Sequence, residues 1–146
     1  MKKFTFLFLV FVALILSCTK ETIQFDLTQY YDVLVVLDSS NCTADCDEEA
    51  DCEGQEVRVV GIIDGDEIST NSYTFEILDE NDMQTPMVIR VDTMASPEIF
   101  AKITGNGDKV VRLQGFLEGQ DGSGSTNCMR EINLFVENPE FVRVSQ

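Results

Sequence analysis

Along the second half of this chain apolar and polar residues alternate with period two, the pattern of strands that bury one face. Val57 to Ile63 reads as the first of these strands, with Gly61 inside it and Asp64-Gly65-Asp66 ending it. Tyr73, Phe75 and Ile77 alternate with Thr74 and Glu76, and the polar run Asp79-Glu80-Asn81-Asp82 makes the next turn. Met87, Ile89 and Val91 then alternate with Arg90 and Asp92. A change of period predicts a short helix: Ser96 can cap it, Pro97 suits its first position, and Ile99, Phe100 and Ile103 share one face. Gly105-Asn106-Gly107-Asp108 stops that helix, and Val110 to Leu117 forms a fourth strand. After a Gly/Ser-rich loop over 119–127, Ile132 to Val136 forms a fifth, and Phe141 to Val144 a short closing strand.

The first half is less regular. Ile23, Phe25 and Leu27 alternate with Gln24 and Asp26, which predicts a half-buried strand over 22–28. Val33 to Leu37 is a continuous apolar run of strand length. From Asp38 to Gln55 the chain is polar, acidic and cysteine-bearing, a loop long enough to need cross-links for order. At the N-terminus, Lys2-Lys3 precede the apolar stretch Phe4 to Leu16. Its length fits the core of a secretory signal and falls short of the roughly 20 residues that span a bilayer.

Ile15-Leu16-Ser17-Cys18 closes that stretch and resembles the lipobox of bacterial lipoproteins: a branched apolar residue, a variable one, a small one, then cysteine. The resemblance implies cleavage after Ser17 and a diacylglyceryl group thioether-linked to Cys18. Two or more acyl chains anchor stably where one does not. The expected organisation is a signal peptide over 1–17, a lipidated tether over 18–22, an N-terminal extension over 23–54 and a β-domain over 55–146. Thr19, where enteric bacteria use Asp for inner-membrane retention, favours the outer membrane. The expected setting is therefore the cell envelope, periplasmic or surface-exposed.

Three strands, a helix and two more strands over residues 55–137 are similar in order to the OB-fold. That fold is a small five-stranded Greek-key barrel whose helix lies between strands 3 and 4. The expected fold class is thus mainly β, with the cysteine-bearing extension added in front. Gly61 and Gly115 fall where the strands of a small barrel must bend sharply. The resemblance implies that any ligand lies across strands 2–3 and the loops at 64–72 and 119–127. It is expected that Tyr73 and Phe75 fill the barrel, and that Arg58, Arg90 and Arg112 pair with acids such as Glu76 or Asp92.

Composition removes several chemistries. The chain has no His and no Trp and carries a formal charge of −16. Losing residues 1–17 would take two lysines and no acid, leaving it more negative still. Without His there is no Ser-His-Asp or Cys-His catalysis and no imidazole-bound zinc. A surface this acidic repels phosphate backbones, so nucleic acid is a disfavoured partner despite the fold. Apart from Cys18, four cysteines remain: Cys42, Cys46, Cys52 and Cys128. In an exported protein these read as two disulfides with three possible connectivities, the 42–52 cluster being expected to staple to the loop holding Cys128.

One acidic segment has metal-like spacing. Counted from Asp45, carboxylates fall at positions 1, 3, 5, 7, 9 and 12, the ligand positions of an EF-hand calcium loop. Asp45, Asp47, Glu49, Asp51 and Glu56 are therefore candidate Ca2+ ligands. Against this, Ala50 stands where the loop needs Gly, and strand-like sequence follows where a helix belongs. The sequence reading is a non-enzymatic, lipid-anchored OB-like binding or structural module of the envelope, with no required cofactor. Its partner would be an envelope protein or a small ligand. A calcium-dependent module and a nucleic-acid-binding OB domain are the alternatives.

Overall fold

The computed structural model describes residues 24–39, 42–46, 48–122 and 128–146. The signal segment, Cys18 and Asp47 lie outside the described residues.

Chain order gives β1 (Tyr31–Asp32), α1 (Val33–Leu37), β2 (Glu56–Ser69), β3 (Thr74–Leu78), β4 (Pro86–Val91), α2 (Ser96–Ile103), β5 (Val110–Asp121), β6 (Arg130–Val136) and β7 (Val142–Val144). The strands run β1-β2-β3-β4-β6-β5-β7 across the sheet, and β2 also pairs with β5. That extra pairing closes β2, β3, β4, β6 and β5 into a five-stranded barrel. Within the barrel only β4 and β6 run parallel; the other pairs are antiparallel. With α2 between its third and fourth strands, this is the OB topology. β1 adds to β2 in parallel, and β7 lies antiparallel against β5.

Alternation along each strand builds the core. Val57, Val59 and Ile63 of β2, Phe75 and Ile77 of β3, and Met87 and Ile89 of β4 point inward and are fully buried. Val111, Leu113 and Leu117 of β5 meet Leu134 and Val136 of β6 in the same interior. α2 plugs one end through Ile99, Phe100 and Ile103, and the Phe100 ring meets Phe75 edge-on at 6.4 Å between centroids.

Two inward positions carry no side chain, and both lie where a long strand changes partner. β2 pairs with β5 over Glu56–Ile62 and with β3 from Ile62 onward. β5 pairs with β2 over Val110–Phe116 and with β6 over Phe116–Asp121. A Cβ at Gly61 would sit 2.9 Å from the Leu78 carbonyl, and one at Gly115 would sit 2.2 Å from the Phe135 carbonyl. The expected bends at these glycines are therefore points of close backbone approach.

Several local expectations give way. Val33 to Leu37 is helical, not extended: Val33 and Val36, three apart, are both fully buried. The Leu34 amide donates to Asp79 Oδ2 at 3.0 Å, so a distant turn supplies the cap that Asp32 does not. Burial alone would raise the Asp79 carboxyl, but the Leu34 and Asn81 amides outweigh it and hold the group below its ordinary value. Residues 24–28 pair with no strand; Phe25 packs edge-on against Tyr31 at 5.2 Å. β2 runs through Asp64-Gly65-Asp66 to Ser69, with a register shift between Ile63 and Ile68 where the loop before β5 joins it: Asp108 N donates to Ile63 O. Ser96 is the first residue of α2 and not its cap: it donates to Thr93 O, and Ala95 holds the cap position without a side-chain bond, while Asp92 Oδ1 accepts from the Met94 and Ala95 amides in the turn before the helix.

Because the obstacle at Gly115 is backbone, Gly115→Ala should cost about 2–3 kcal/mol of stability, read from the urea midpoint at unchanged m-value. A loss under about 0.5 kcal/mol would contradict the close-approach account.

Candidate binding cleft

β4 and β6 lie side by side only over Ile89–Val91 and Leu134–Val136, so the first half of β6 parts from β4. The cysteine-bearing extension fills part of this gap. Arg130 N donates to Ala44 O, Asp45 bridges Met129, and Cys46 N donates to Cys128 O. The disulfides Cys42–Cys52 and Cys46–Cys128 hold the segment there, with Cα–Cα separations of 5.0 and 5.3 Å. This realises the expected staple to the Cys128 loop and selects one of the three connectivities.

Arg130 ties the same corner by charge. Its Nε and Nη2 engage both Glu53 oxygens, the second at 2.9 Å, while Nη1 reaches Asp121 Oδ1 at 2.8 Å and Nη2 also donates to Gly119 O. The fork geometry suits guanidinium and not an ammonium. Arg130 holds the Glu53 carboxyl below its usual range, and Glu53 in turn raises the guanidinium. Arg130 did not stand out in the sequence, since a lone Arg opening a strand carries no motif, and Glu53 did so only as one carboxylate of the calcium-like spacing.

What the extension leaves open is a cleft of about 460 Å³ on the outer face of β3, β4 and β6. Leu37 and Cys42 form the extension's wall, Pro86 and Val88 the β4 side, and Met129 and Ile132 the β6 side. Two polar side chains in it lack partners. Asn133 is 3% exposed although it points away from the interior, and its side-chain amide makes no hydrogen bond among the described residues. Glu76, half-buried on β3, has neither an ion pair nor a hydrogen-bond donor among them. Burial, then repulsion from Glu67 and Asp64, pushes its carboxyl up.

The arginines do not go to Glu76 or Asp92 as the sequence suggests. Arg58 and Arg112 flank the Tyr30 ring at 5.7 and 5.9 Å from its centroid, and Arg90 pairs with Glu118 at 2.7 Å. Phe75 fills the barrel as expected. Tyr73 does not: it is in the turn before β3 with φ of 56° and is 40% exposed.

Of the residues with calcium-like spacing, Asp47 lies outside the described residues. Among the described residues no group of three or more metal-ligating side chains stands together. Asp45 is tied through its backbone to Met129, and the Asp51 carbonyl accepts from Gln55 Nε2. Glu49 lies by a separate shallow depression, Glu53 is committed to Arg130, and Glu56 Oε1 accepts from Gln114 Nε2 at 2.7 Å. No helix among the described residues is long and apolar enough to cross a membrane.

No protein-family model matches the chain, and no curated protein matches it in sequence. Among solved structures it is similar to the mitochondrial single-stranded DNA binding protein Rim1 of S. cerevisiae, at 12% identity and a TM-score of 0.44. The match covers 64% of this chain and 96% of that one.

Two measurements check this corner. Replacing either cysteine pair by serine should cost about 2–4 kcal/mol, with the greater loss for Cys46/Cys128 because it closes 82 residues of chain and not 10. Equal stability of both double variants and wild type would refute the staple. For Glu76, the raised folded-state value means that the folded chain binds the proton more tightly, so stability falls as pH rises from the ordinary glutamate value through the folded one. Glu76→Gln should therefore melt higher than wild type at pH 7, with the gain vanishing below about pH 4, where both states hold a neutral carboxyl.

Proposed function

We propose that the chain is a lipid-anchored, non-enzymatic binding module of the bacterial cell envelope that engages an envelope protein or small ligand through the outer face of its barrel. The observation that carries this reading is the cleft between β4 and β6, kept open on the face where OB barrels take ligands and walled by the disulfide-held extension. A reducing compartment would not sustain these disulfides, which supports export. The lipobox-like Ile15-Leu16-Ser17-Cys18 supports the anchor. The absence of His leaves no imidazole for acid-base or nucleophilic chemistry, which supports a binding role.

Single-stranded nucleic acid calls for stacking aromatics beside a basic track. On β3 and β4 the outward residues are Thr74, Glu76, Pro86, Val88 and Arg90, with no aromatic among them, while Phe75 points inward. That composition favours a protein or small-ligand partner.

The test has two arms. Labelled fatty acid should be incorporated by the wild-type chain in a bacterial host and not by Cys18→Ala, which should instead stay in the unprocessed form. Crosslinking in intact envelopes, followed by capture of the chain, should recover a defined partner or ligand that is lost when Asn133 and Val88 are both replaced by Arg. Incorporation unaffected by Cys18→Ala, or capture indifferent to the cleft variant, would overturn the corresponding half of the reading.

A further inference from the structure

The cleft holds two unsatisfied polar side chains on apolar walls, and their chemistry restricts what fits. The Asn133 amide makes no hydrogen bond among the described residues and its polar atoms stay open to the cleft, so a ligand can bond them. The Glu76 carboxylate is half-buried and faces Asp64 and Glu67 on β2 without a counter-ion among the described residues. Of the other charged groups lining the cleft, Arg130 is neutralised by Glu53 and Asp121, and Glu131 adds negative charge at the exposed rim. The cleft is thus apolar along its walls and anionic at one end.

Strand register places the two polar groups. Glu76 is directly opposite Val88 in the β3–β4 pair. Since Ile89 is opposite Leu134, Asn133 lies beside Val88 on the other side. Glu76 and Asn133 thus lie on the two strands that flank β4, at the point where β6 leaves β4, with Val88 between them in register.

Resting on the binding-module reading above, we infer that the cleft takes an alkyl chain bearing a terminal ammonium or guanidinium. The methylenes lie over Val88, Pro86 and Leu37, the cation is held by Glu76, and an N–H near the other end donates to Asn133 Oδ1. A free diamine and a lysine or arginine side chain of a partner protein share this chemistry. A neutral chain of the same length leaves the carboxylate uncompensated. An anionic ligand meets Glu76 and Glu131.

The test is a calorimetric titration of the purified full chain in detergent. The probes are 1,5-diaminopentane, N-acetyl-lysine methylamide and, as the neutral control, 1,5-pentanediol, all at fixed ionic strength. Saturable binding of one or both ammonium probes is expected, with none for the diol. A tighter diamine identifies a free amine as the source, and a tighter lysine derivative a protein side chain. Glu76→Gln should weaken binding at least tenfold and Asn133→Ala about fivefold, both variants melting cooperatively. Binding of the diol as tight as the diamine, or full affinity in Glu76→Gln, would overturn the inference; the latter is what diffuse attraction to an acidic surface gives. If wild type still captures an envelope partner through the cleft while neither ammonium probe binds, the cation inference falls and the module reading stands. If capture fails as well, both fall.

Discussion

Barrel closure depends on two strands that each serve two partners. β2 leaves β5 for β3 at Ile62, and β5 leaves β2 for β6 at Phe116. At each hand-over the inward position is glycine, because the neighbouring backbone comes closer than any side chain allows. A barrel this small must coil its strands steeply, and steep coiling brings the backbone of the next strand across the interior. A side chain at Gly61 would press on Leu78 of β3 and one at Gly115 on Phe135 of β6, forcing apart the pairs that each hand-over forms.

The same coiling explains the cleft. Strands that close a barrel on one side diverge on the other, and β4 and β6 run parallel for only three residues before they part. An open gap there exposes strand edges, which natural proteins cover or charge. This chain does both. The extension is fastened across part of the gap by two disulfides, and Arg130 pairs at the corner with Glu53 and Asp121. Such cross-links let a segment with little apolar content remain ordered, since they remove freedom from the unfolded chain.

How much of this the sequence revealed depends on the kind of signal. Period-two alternation located β3, β4, the middle of β5 and β6, and the 3.6 period located α2, because each buries one face in a shared core. The inward glycines were legible as bends for the same reason. Val33 to Leu37 was not: five apolar residues fit a buried strand or a helical turn equally, and the arbiter is Asp79, which caps Leu34 from 45 residues away. Asp64-Gly65-Asp66 reads as a turn, yet the loop before β5 hydrogen-bonds to Ile63 and holds β2 extended past it. The arginine partners were missed because pairing is decided by which face each strand presents. Arg58 and Arg112 turn toward Tyr30, and Glu76 is left alone.

Glu76 separates a general property from a specific one. The acidity of the whole surface draws any cation, but that attraction is screened within about 8–10 Å at physiological salt and does not discriminate. A half-buried carboxylate without a counter-ion is different. It costs the fold stability at neutral pH, and replacing it would be favourable if folding were the sole demand. Asn133 adds a neutral amide that opens on the same cleft and makes no hydrogen bond among the described residues. A half-buried carboxylate and an unbonded amide on the two strands that flank β4, both lining one cleft, are better explained by a ligand that satisfies both than by two separate accidents of packing. The cost falls on the empty form, and a ligand that relieves it binds tighter by the same amount.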